Sequence, residues 1–327
     1  MQRWHLSTMG ADWVMIGRCI CVPCPCVLTS MPLRSIFLAG LLLAAAAAQA
    51  HDTWFHALPA VAGAPVLALG TGNRFPVQES GVGTEFLARQ GCSLIDAPKP
   101  AEAGRPLRES RKVAKPHFLE SADGRSASQP LMRPLHNVAH ALILRGPPRA
   151  QSCWAQLVPL EVELAADKVA IYLREVQADP ALRATWADMQ RRGVPWKERY
   201  TKHARIDFSV VEGEPVPMAM DIVREASANG SLSFRVLRDG QPVPGLAMEW
   251  VSDTASLGIW RRSDAEGRVR VPALPPGRWV LRAIDLRLSM VEPDRWESRF
   301  VTLAFEVPLV TPSPATAAST GAMPNPR

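Results

Sequence analysis

Residues Ile36 to Ala48 form an unbroken apolar run, preceded by Arg34 and followed by Ala48-Gln49-Ala50. A positive start, an apolar core of this length and a small-x-small triplet are the order of a secretory leader, with cleavage expected after Ala50. No other feature limits the fold as much. It takes residues 31–50 out of the folded chain, makes His51 the new N-terminus and delivers the rest to an oxidising, periplasmic compartment. The residues before Met31 follow no leader grammar. Cys19, Cys21, Cys24 and Cys26 sit there in the run CICVPCPC, whose spacing fits no zinc pattern. Residues 1–30 are expected to precede the true start at Met31 and to have no function.

Cleavage leaves 277 of the 327 residues, enough for one large or two ordinary domains. The lost part holds three arginines and one aspartate out of 37 basic and 31 acidic residues, so the remainder carries four excess positive charges. Those charges are scattered, with no basic stripe interleaved with aromatics, so no nucleic-acid partner is expected. No second apolar run approaches the ~20 residues of a membrane span, and no cysteine follows the cut to carry a lipid, so no stable membrane insertion is expected. Only Cys92 and Cys153 survive cleavage, and they are expected to form one disulfide.

The remaining sequence is mainly β. His51–His56 and Val66–Leu69 are expected strands, and Asn73–Glu79 is extended because of Pro76. Residues 96–116, rich in Pro, Arg and Lys, form a surface loop. Asn137–Leu144 is an expected strand with Val138, His140, Leu142 and Leu144 on one face. Val169, Tyr172, Leu173 and Val176 recur at helical spacing in Ala165–Gln177. Asp179 caps a second helix with Pro180 at its first position and Gly193 as its stop. Pro195–His203 is expected as a further short helix, so the helices span about 165–203. Arg205–Val211 and Val216–Val223 return to strand. Ala226–Gly230 is a polar break, which divides a β-rich N-terminal domain (51–228) from a small Ig- or transthyretin-like β-sandwich (229–308). Turns at Arg238–Gly245, Asp264–Gly267 and Pro275–Gly277 separate its short strands. Residues 309–327 are an expected disordered tail.

No G-x-S-x-G elbow, H-E-x-x-H or phosphate-binding loop is present, and Gly70-Thr-Gly72 lacks the third glycine of a dinucleotide site, so no catalysis is implied. Glu161 and Glu163 have strand-like spacing and belong to a solvated face. Among the histidines, His117 falls in the basic loop, His203 beside Lys and Arg, His136 at a strand start, and His56 on the strand face opposite His51. His140 on an apolar strand face is either a core residue or a ligand. As an N-terminal residue, His51 offers an amine and an imidazole to one metal ion, or it follows the cut without a role.

The order A-H-D-T-W-F, G-N-R-F-P-V-Q, H-x-L-x-L, A-D-K-V-A-I-Y-L-R-E, W-K-E-R-Y-T-K-H-A-R and W-E-S-R-F-V-T-L-A-F-E-V covers roughly residues 51–308. It resembles an exported family of unknown-function domains associated with periplasmic nickel and cobalt uptake. The part after residue 229 also resembles transthyretin-like and carboxypeptidase-regulatory-like sandwiches. The resemblance implies metal handling through His51, with His140 as an additional ligand. Asp285 stands where other members often carry a histidine in a late strand, a harder ligand less suited to nickel or copper. Thr53 at mature position three excludes the amine–amide–imidazole clip. The implied function is transition-metal binding or delivery, nickel or cobalt and alternatively copper, to a membrane metal-uptake transporter. The rival readings are a copper-dependent secreted enzyme with an N-terminal histidine brace, and a metal-free envelope interaction or scaffold protein.

Overall fold

A computed structural model describes residues 52–95, 130–209, 212–226, 231–255 and 257–309. Ala50, His51 and His117, residues 1–50, the expected 96–116 loop and the expected tail from 310 lie outside them. The described chain is mainly β, with two helices and three sheets. The outer sheet has the order β1 (Asp52–Val61), β2 (Ala64–Gly72), β6 (Ala141–Arg145), β5 (Arg133–Val138), with β3 (Ser80–Gly81) also on β2. The central sheet runs β14 (Ile259–Arg262), β13 (Ala247–Ser252), β16 (Gly277–Leu288), β17 (Trp296–Val307), β9 (Trp196–Asp207), β7 (Ala150–Leu157), β4 (Leu87–Leu94), and β8 (Leu160–Leu164) pairs with β9. In the third sheet β11 (Leu232–Arg238) pairs with β10 (Met220–Glu225), β12 (Gln241–Pro242) and β15 (Arg268–Val271).

Alternation gives the central sheet two buried faces, so it forms the middle layer. One face presents Ala204, Ile206, Val280 and Ala304 to Trp54, Phe55, Leu67, Leu69, Leu142 and Leu144 of the outer sheet. Its far end meets the helices α1 (Ala166–Glu175) and α2 (Pro180–Arg191), where Trp196 and Trp296 stack at 4.5 Å among Val169, Tyr172, Trp186 and Met189. The other face packs Trp250, Leu281, Val301 and Leu303 on Ile222, Phe234 and Val236 of the third sheet.

Local signals set the helix ends. The Asp179 carboxylate accepts from the Ala181 amide at 2.7 Å, Pro180 opens α2, and Gly193 follows it at φ +72°. Cys92 and Cys153, cross-strand partners of β4 and β7, form a buried disulfide. Neither strand shows in the text, because Gly91 and the mixed polar residues of both interrupt a simple alternation.

Three expectations change. The segment Pro195–His203 is not helical: β9 pairs in parallel with β17 from Glu198 to Ile206 and antiparallel with β7 and β8. Strands on both edges of β9 supply more backbone partners than a short exposed helix could, and they outweigh the helix preference of Lys, Glu and Arg. Asn137–Leu144 is not one strand. Val138 pairs with Ala141, so the chain reverses at Ala139–His140 between β5 and β6. At the break near Ala226–Gly230 the sheets do not divide. β10 pairs with β11 across it, and β17 hydrogen-bonds to β9, so strands from both sides build the central and third sheets.

Candidate functional site

The first residues of β1 lie over the central sheet. Asp52, Thr53 and Trp54 are buried. The Thr302 hydroxyl donates to the Thr53 carbonyl at 2.6 Å, which ties the start of β1 to the middle of β17. Beneath Asp52 stands Arg282 of β16, whose cross-strand partner is Glu249 of β13. Its guanidinium bonds Oδ2 of Asp52 and, through Nη2 at 2.6 Å, Oε2 of Glu249. Burial works against the Arg282 charge, but the two carboxylates beside it outweigh burial and raise its pKa above the ordinary arginine value. The second oxygens, Oδ1 of Asp52 and Oε1 of Glu249, have no hydrogen-bond donor among the described residues. A Cβ at Gly258 would lie 1.9 Å from Oε1 of Glu249, so any larger residue there would have to push that carboxylate aside.

A cavity of about 330 Å³ opens at this place. Trp54, Phe75, Val251 and Val280 give it apolar walls, and Asp52, Asn73, Arg74, Glu249 and Arg282 give it polar ones. Arg74, in the loop after β2, is exposed and has no carboxylate within ion-pair distance among the described residues. His56 stands on the same strand face as Asp52 and Trp54 and stacks on Phe75 with 5.4 Å between ring centres. Its Nε2 lies 2.6 Å from the Pro76 carbonyl and 3.1 Å from the Trp54 indole nitrogen, so its tautomer selects which bond forms. Burial lowers the His56 pKa, partly opposed by the Pro76 carbonyl.

Lys202 of β9 is 9 % exposed and sits 5.8 Å from the centre of the Tyr200 ring. No acid lies within ion-pair distance of it among the described residues. Burial lowers its pKa to about 8, against the opposing pull of Asp52.

The residues expected to bind metal are spread apart. His51 lies outside the described residues. His140 is exposed in the β5–β6 turn, not on an apolar strand face, and its Nδ1 is 3.0 Å from the Glu79 carbonyl. Asp285 is buried and bonded to Arg238 of β11 and, at 2.9 Å, to Arg287. It lies three positions after Arg282 on the same strand, so it faces the third sheet while Arg282 faces β1. The central sheet therefore stands between Asp285 and the cavity. Among the described residues no three His, Cys, Asp or Glu are grouped to hold a metal ion. His136 is exposed on β5. His203 is buried, its Nδ1 donating to the Phe300 carbonyl at 2.9 Å and its Nε2 without a partner, and burial lowers its pKa to about 4. Glu161 and Glu163 are exposed surface partners, Glu161 of Arg199 and Arg295 and Glu163 of Lys197.

Sequence reasoning passed over Glu249, Arg282 and Lys202. The available signal was a charged residue at an inward position of an otherwise apolar strand, as in Ala247-Met-Glu-Trp and Trp279-Val-Leu-Arg. No helix among the described residues is long and apolar enough to cross a membrane. No family model matches this chain, and no curated protein does.

Proposed function

We propose that the exported protein binds one divalent transition metal at the head of β1 and delivers it to a membrane uptake system, with nickel or cobalt as cargo and copper as the alternative. The observation that carries this reading is the buried carboxylate of Asp52, with one oxygen lacking a donor among the described residues, placed one residue after His51. Consecutive Cα atoms are ~3.8 Å apart, so Asp52 is the carboxylate nearest along the chain to the His51 amine. Two nitrogens from one residue need less ordering than two separate side chains. A nitrogen-rich set with one carboxylate suits nickel, cobalt and copper better than magnesium or calcium. Asp285 takes no part, because two guanidiniums hold it on the far face of the central sheet. His140 serves as a further ligand only if its exposed turn swings toward β1.

Both His51 nitrogens must be deprotonated to ligate. Affinity should weaken below the amine range of ~7.7–8.0 and fall further through the imidazole range near ~6.5. Titration calorimetry with nickel, cobalt and copper on protein beginning at His51, and on a form with one extra residue before it, tests the reading. The extended form should fold normally and lose most of the affinity, since its amine has become an amide. Equal binding by both forms, or none by either, would overturn it.

A further inference from the structure

We propose that the cavity under β1 binds a small zwitterionic organic molecule of the α-amino-acid class, a function beyond metal binding that uses neither His51 nitrogen. At one pole Asp52 and Glu249 share a single guanidinium, Arg282, so that end carries one net negative charge. Oε1 of Glu249 has no donor there among the described residues, and its side chain is 10 % exposed. The carboxylate of Glu249, a wall of the cavity beside the aromatic rings of Trp54 and Phe75, favours an ammonium group. In the rim loop Arg74 brings a guanidinium with no acid beside it among the described residues, and this fork fits a carboxylate in two-pronged fashion. Between the poles Val251 and Val280 offer an apolar wall for a short hydrocarbon side chain. The volume of about 330 Å³ is many times the ~30 Å³ share of one water and falls at the small end of ligand sites. A bare ion leaves most of that space and the apolar wall unused.

The test uses protein beginning at His51, freed of metal with a chelator, and titration calorimetry. The probes are the natural amino acids as a panel, with leucine, its decarboxylated amine and its deaminated acid as the cut-down set. At least one amino acid should bind in the millimolar range or tighter, and its amine and its acid should each bind about tenfold more weakly or worse. Arg74→Ala changes an exposed side chain and should keep the fold while lowering affinity about tenfold. Glu249→Gln keeps a hydrogen bond to Arg282 and should do the same. The form extended by one residue before His51 should bind the amino acid as well as the parent, which separates this proposal from the metal reading. Binding of no amino acid in the panel, equal binding of the amine or the acid, or unchanged affinity in both variants would overturn it.

Discussion

Replacing Lys202 with methionine should stabilise the protein at neutral pH. The lysine is buried on β9, lies 5.8 Å from the Tyr200 ring centre, and has no acid within ion-pair distance among the described residues. Burial brings its pKa from 10.5 to about 8, so at neutral pH the folded protein still holds an ammonium, in surroundings that oppose its charge. The difference amounts to about 3 kcal/mol of destabilisation, from which the lost contact with Tyr200 takes back about 0.5–1 kcal/mol. The sign follows from the two pKa values. Below 8 the lysine is charged in both states and the penalty is complete; between 8 and 10.5 it fades; above 10.5 the amine is neutral in both and the penalty is gone. Urea unfolding of parent and variant near pH 7 and near pH 10.5 reads this directly. The variant's advantage should be about 2 kcal/mol at the lower pH and should vanish or reverse slightly at the higher one. A less stable variant near pH 7, or an advantage that does not shrink with rising pH, would refute the reasoning and mean that the ammonium has a partner in solution.

Changing both Cys92 and Cys153 to alanine opens a loop of sequence separation 61 and should cost about 4 kcal/mol, a fall in Tm of roughly 8–15 °C by calorimetry. His203 is held neutral in the fold, with its pKa lowered to about 4. Stability should therefore fall by up to about 3 kcal/mol as pH drops from 6.5 to 4, and His203→Gln should flatten that part of the urea-midpoint profile. Residues 230–308 expressed alone should not give a cooperative thermal transition. They lose β10 and β9 as pairing partners and expose Trp296, Phe300 and Ala304; a sharp transition would mean the segment completes its own core.

Part of the site was legible in the text and part was not. His51 drew notice through the leader grammar before it, and the neighbouring Asp52 and Trp54 mark the strand that covers the cavity. His140 was misplaced because Ala139–His140 carries no glycine or asparagine to announce a turn. The apolar residues on both sides of it read through as one strand. Asp285 lies in the expected strand, but its partner Arg238 is 47 residues away, and nothing near it in the sequence reports that pairing. Arg282 and Asp52 are 230 residues apart.

By itself the sequence determined the local features: the Asp179 cap and Pro180 start of α2, the apolar stripe of α1, the turn at Asp264–Gly267 and the one possible pairing of two remaining cysteines. Each depends on contacts within about one helical turn, or on simple counting. The tertiary structure decided which face each strand buries, that Trp196–Asp207 is a strand joining the two halves, and that Asp52, Glu249 and Arg282 meet. A strand's backbone groups are satisfied only by other strands, and a buried charge only by an opposite charge brought to it. Both partners come from distant parts of the chain, so neither is written in the residues next door.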